Sequence, residues 1–149
     1  MGSRIFTSSF SLPPLRAPVT SSPKAAVEFV NNWPTKIKFG EGNLGHRYFI
    51  GSRLSETPAA NPARIAFEAY FAGKTDKRHC ADPATVLYAV YGTRYFGEIG
   101  PGACYVRGDG FTRWNAGRDR QHFYNTEKQP IEELEQVMEQ LLIKPPKHR

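Results

Sequence analysis

From Pro130 onward the apolar positions recur every three to four residues. Ile131, Leu134, Val137, Met138, Leu141 and Leu142 line one face, and Glu132, Glu133, Glu135 and Glu139 the other. The spacing predicts an amphipathic helix over 130–143 that docks on a core. Its acids favour the N-terminal half and Lys144 and Lys147 lie beyond its end, as the helix dipole prefers. A second helix is predicted over 23–32, with Ser22 at the N-cap, Pro23 in the first turn and Ala26, Val27 and Val30 on one side. Trp33-Pro34 stops it. Thr35 to Phe39 then alternates Ile37 and Phe39 with Lys36 and Lys38, the pattern of an edge strand. Gly40, Gly42 and Gly45 read as a tight turn into a helix over 43–54, and Asn61-Pro62 opens another over 61–72 that stops at Gly73. The GEGNLG run lacks the Lys-Ser/Thr of a phosphate-binding loop.

Between Asp82 and Gly92, DPATVLYAVYG, the pattern changes. Asp82 suits an N-cap, Pro83 the first helical position and Gly92 a left-handed stop, and only Thr85 is polar between them. A helix over 83–91 with no solvent face is expected, the most buried of the chain. The bland reading of Asp82 is that it only caps this helix. The sharper one is that a carboxylate held ionised at a helix N-terminus points into a cleft and ligates a hard metal.

After Gly92, residues 93–99 and 103–107 read as short strands separated by Gly100-Pro101-Gly102. A turn at Gly108-Asp109-Gly110 leads to 111–114, and 121–124 adds a further strand. These form a small antiparallel meander. Alternating capped helices and short strands make the chain an α/β protein, with a few parallel strands, helices, the meander and the C-terminal amphipathic helix. Residues 1–21 are expected to be an extended arm and 22–149 a single domain. Pro13, Pro14 and Pro18 prevent regular helix in the arm.

With 149 residues and 40% hydrophobic content, the chain is long enough for one domain with a core of its own. A formal charge of +6 permits a nucleic-acid partner. The cations are scattered among carboxylates with no run longer than a pair, which favours a solvated basic surface instead. Cys80 and Cys104 have no metal-ligand spacing and are too few for a disulfide framework, so a reducing, cytoplasmic setting is expected. The acid-free, Ser/Thr/Pro-rich stretch over 1–27, with Arg4, Arg16 and Lys24, offers the alternative of an organellar transit peptide. No apolar run reaches the roughly 20 residues of a membrane span.

The run from Arg64 to Phe96, RIAFEAYFAGKTDKRHCADPATVLYAVYGTRYF, resembles the C-terminal part of the inosine/uridine-preferring nucleoside hydrolases, which carry a similar WDPTAVLYAVRG segment. The similarity extends upstream through SPKAAVEFVNNWPTKIKFGEGNLGHRYFIGSRL and downstream through GFTRW (110–114) and QHFY (121–124), covering about residues 22–146. It implies part of a Rossmann-like parallel sheet. The chemistry it implies is hydrolysis of a nucleoside's N-glycosidic bond, with a calcium ion gripping the ribose diol and activating water.

In that family most metal ligands come from an Asp-rich motif near the N-terminus, and this chain has no such motif. Asp82 matches the single aspartate of the C-terminal half. The residue before it is Ala81 where the family often has His or Trp, Asn43 stands where the family has a Glu, and Arg16-Ala17-Pro18 falls at the ribose-binding Glu-x-Asn. His79 is a candidate proton donor to a leaving base, although a lone loop histidine is more often solvated. His46, His122 and His148 have no partner spacing that marks them as ligands. The resemblance therefore implies a truncated or degenerate relative, inactive alone, whose partners are a nucleoside or ribose and a homo-oligomeric or second subunit. The alternatives are a non-catalytic binding or assembly module on the same core, and a basic nucleic-acid-binding domain.

Overall fold

The computed structural model describes residues 22–145. In chain order it contains helix α1 (Pro23–Asn32), strand β1 (Ile37–Phe39), the single turn α2 (Gly42–Gly45), β2 (Phe49–Ile50), a 3-10 turn (Ser52–Glu56), α3 (Pro62–Tyr70), β3 (Arg78–His79), α4 (Ala81–Tyr91), β4 (Gly97–Val106), β5 (Thr112–Asn115), β6 (His122–Thr126) and α5 (Ile131–Ile143). The strands form a four-stranded mixed sheet in the order β1-β6-β4-β5 and a separate pair, β2-β3. The expected arm over 1–21 lies outside the described residues.

The chain is a mixed α/β fold, as its alternating pattern implies, but among the described residues parallel pairing is confined to β1 and β6. The 93–125 region is not a meander. β4 and β5 form a hairpin, and β6 crosses to the far side of β4, pairing antiparallel with it and parallel with β1. Nor is β4 two strands: the ladder runs through Gly100-Pro101-Gly102, absorbed by a register shift between Ile99 and Gly102. Gly100 has φ +149°, and a Cβ there would strike Phe123, so the break in pattern marks a bulge inside one strand.

Two apolar clusters flank this frame. Val30 of α1 packs with Cys104, Trp114 and Tyr124 on the sheet. The larger cluster joins Leu44, Tyr48, Ile50, Cys80, Ala84, Leu87, Tyr88 and Phe96 to Leu134 and Met138 of α5. The periodicity located α1, α3 and α5 correctly, with Asn61 accepting the backbone N–H groups of Ala63 and Arg64 as a cap should. Ser22 stands at the start of α1, but its side chain makes no capping bond.

Three further expectations are overturned. The helix over 43–54 is instead α2, β2 and the 3-10 turn. Gly45 and Gly51 weaken helix there, Gly51 adopts φ +120°, and Phe49-Ile50 pairs with Arg78-His79. Helix α4 begins at Ala81, with Cys80 at its cap, so Asp82 is the second helical residue and caps nothing. The cause is Cys80, whose N–H donates to the Tyr48 carbonyl (2.9 Å) and whose own carbonyl accepts from Ala84 (3.4 Å), leading the chain straight from β3 into the helix. Pro83 still fits, because first-turn N–H groups have no intrahelical partner. Finally, α4 is two-faced: Ala84, Leu87 and Tyr88 are buried, while Val86 is 61% and Val90 69% exposed.

Helix α5 departs from its pattern in the opposite sense. Glu139, on the polar side by periodicity, is buried and accepts the Gly51 N–H (2.8 Å) and the Ser52 hydroxyl (3.2 Å). Glu135 accepts the Phe49 N–H (2.7 Å). Two carboxylates thus satisfy the backbone donors of β2 and the residue that follows it, a role that hydrophobic spacing does not encode.

Candidate functional site

The residues singled out for chemistry lie at the corner where α2 meets the first turn of α4. Gly45 makes this approach possible, since a Cβ there would sit 2.6 Å from the Ala81 Cβ. Asn43 is the second residue of α2. Its backbone N–H is taken by the Glu41 carboxylate (3.1 Å), and the residue is exposed. His79 ends β3, exposed, with its ring 5.0 Å from that of His46 and edge-on to Phe49 at 6.5 Å. Asp82 is exposed in the first turn of α4 and borders an apolar groove.

These side chains share a corner but are not gathered into a cluster of three or more ligands. Among the described residues no three His, Cys, Asp or Glu side chains stand close enough to hold an ion together. Calcium takes six to eight oxygens. Asp82, an exposed carboxylate outside any such group, does not fit that requirement.

Two features escaped the sequence. The first is a polar chain through the protein: Lys38 of β1 donates to Glu98 of β4 (2.7 Å), which also accepts the hydroxyl of the fully buried Tyr88 of α4. The Lys38 ammonium lies 4.5 Å from the centre of the Tyr88 ring. Burial pushes the Glu98 carboxyl upward, yet the hydrogen bonds from Lys38 and Tyr88 outweigh it and hold the carboxyl below its ordinary value. Burial, and then the bond to Glu98, push the Tyr88 phenol up. Lys38 and Glu98 are 60 residues apart, with no local signal to link them.

The second is the groove itself, about 440 Å³ between α4 and α5. Its walls are almost entirely aliphatic: Ile50, Val86, Leu87, Val90, Met138 and Leu141. The unbroken apolar run of 83–91 was the signal for it. A helix with no polar face is one that something must cover.

Compared with protein-family models, curated proteins and solved structures, the chain matches none. No helix among the described residues is long and apolar enough to cross a membrane.

Proposed function

We propose that this chain is a nucleoside-hydrolase-like α/β module that does not hydrolyse nucleosides by itself. The reading rests on the resemblance over 22–146 and is supported by one observation: Asp82, the match for the family's C-terminal metal ligand, stands exposed, and among the described residues it belongs to no group of three or more potential ligands. Without a metal clamp the ribose diol is unheld and water keeps a pKa far too high to supply hydroxide at neutral pH. His79, exposed on β3, retains only the capacity to protonate a leaving base. Ribose release from inosine and uridine in excess calcium tests this. The expected rate is background for both the wild-type chain and Asp82→Ala. Turnover that Asp82→Ala abolishes would overturn the reading and place the missing ligands on another subunit.

The apolar groove favours a second reading on the same core, an assembly module whose partner is a second copy of this chain. The exposed ridge of Val86 and Val90 stands beside the α4/α5 groove. A two-fold axis can therefore lay the ridge of one copy in the groove of the other. Light scattering across a concentration series, with Val90→Glu as the interface variant, separates a dimer from a monomer. Nucleic acid is the less favoured partner. Lys38, Arg47, Arg53, Arg64, Lys77 and Arg107 are each engaged by a carboxylate, which lowers the net positive field they could offer a phosphate backbone.

A further inference from the structure

His46 and His79 are 33 positions apart in sequence, and neither carries a spacing that marks a ligand pair. In the fold their rings are 5.0 Å apart, centre to centre, with a 47° tilt. Both residues are exposed, and among the described residues neither ring takes part in a hydrogen bond. We propose that His46 and His79 form a two-imidazole chelate for a borderline divalent transition cation of the zinc, copper or nickel type. The proposal is independent of the nucleoside-hydrolase reading.

Three features carry it. The first is distance. A zinc–nitrogen bond is about 2.1 Å, which places the ion about 3.2 Å from each ring centre. Ligand angles between square and tetrahedral then require ring centres about 4.5 to 5.2 Å apart, and the observed separation falls inside that interval without movement of the backbone. Rotation about the side-chain torsions of two exposed histidines is enough to aim one nitrogen of each at a common point.

The second feature is rigidity. His46 follows Gly45, which is wedged against Ala81, and His79 precedes Cys80, whose N–H is bonded to the Tyr48 carbonyl at 2.9 Å. The two segments carrying the rings are therefore pinned to each other at Gly45–Ala81 and Tyr48–Cys80, and His79 is itself paired with Phe49 in the β2-β3 ladder. A preset separation spares the ordering entropy that a flexible pair would lose on chelation.

The third is charge. Each histidine has an arginine as its neighbour, and both arginines are engaged elsewhere. Arg47 donates to Glu127 at 2.7 Å, and the Arg78 guanidinium stacks on the Tyr70 ring at 4.1 Å. The ligand set is borderline imidazole nitrogen with no carboxylate. It therefore selects transition metals over calcium or magnesium, with the remaining coordination positions filled by water or an exogenous ligand. His122, by contrast, is buried and its Nδ1 accepts the Cys104 N–H, so it cannot join or replace this pair.

The test is isothermal titration of the untagged full chain with zinc chloride, run in parallel on His46→Ala and His79→Ala, with calcium chloride as the hard-cation control. Circular dichroism confirms that both variants fold. One zinc per chain is expected, with each substitution weakening binding about tenfold or more, since a direct ligand matters at least as much as the groups behind it. Calcium should give no heat at this site. Cobalt substitution supplies a second readout: a nitrogen and water environment gives weak visible bands without a thiolate charge-transfer band. Zinc affinity unchanged in both variants, no binding up to millimolar zinc, or an intense thiolate band assigning the ion to Cys80 would each overturn the proposal.

Discussion

Replacing Leu87 by alanine probes the face on which α4 meets the rest of the protein. Leu87 is 4% exposed and belongs to the cluster that joins α4 to Ile50, Phe96, Leu134 and Met138. The substitution removes three carbons, worth about 2.4 kcal/mol at about 0.8 kcal/mol each. Leucine-to-alanine changes in closed cores cost about 2 to 5 kcal/mol once the cavity is included. Leu87 also borders the α4/α5 groove, so part of the vacated volume opens to solvent, and the cost belongs at the lower end, about 2 to 3 kcal/mol. In urea unfolding the midpoint should fall with an unchanged slope, and the melting temperature should drop by roughly 5 to 10 °C. The control is Val90→Ala, three positions on. Val90 is 69% exposed, and alanine's higher helix propensity offsets the little packing lost, so the change should stay within about 0.5 kcal/mol. A loss below about 1 kcal/mol for Leu87→Ala, or equal losses for the two variants at low protein concentration, would refute this assignment of faces.

Other consequences follow from the same contacts. His122 Nδ1 accepts the Cys104 N–H, so it must be unprotonated, and burial followed by Arg120 pushes the imidazole below its ordinary 6.5. The unfolded chain takes up the proton first. His122 therefore contributes stability above about pH 6.5 that is lost as pH falls toward its folded value, a slope that His122→Gln should flatten in urea midpoints measured against pH. Gly45→Ala forces the first turn of α4 away from α2 and should cost about 1 to 3 kcal/mol, with amide shifts concentrated at residues 79–84. Tyr88→Phe keeps the ring and removes the bond to Glu98, for a loss of about 1 to 2 kcal/mol in thermal unfolding.

The elements that could be read in the sequence are those whose periodicity and caps agree: Asn61-Pro62 opening α3, Trp33-Pro34 closing α1, and the apolar stripe of α5. What could not be read depends on contacts between distant residues. Asp82 looks like a cap because the sequence does not reveal that Cys80 is tied to Tyr48 and starts the helix two residues earlier. Glu139 looks solvated because its partners, Gly51 and Ser52, lie more than eighty residues upstream. Gly100-Pro101-Gly102 looks like a turn because a bulge and a turn need the same residue types. The candidate site behaved likewise. The family pattern drew attention to Asn43, His79 and Asp82 one by one, whereas the pairing of His46 with His79 depends on the contacts of Gly45 with Ala81 and of Cys80 with Tyr48.

If the isolated chain is inactive as proposed, the corner around Asp82 forms no calcium and ribose site. Calorimetric titration with calcium chloride, with and without saturating ribose, addresses it directly. The predicted result is no saturable heat in either case and an identical trace for Asp82→Ala. Saturable binding of one calcium per chain, strengthened by ribose and removed by Asp82→Ala, would contradict it.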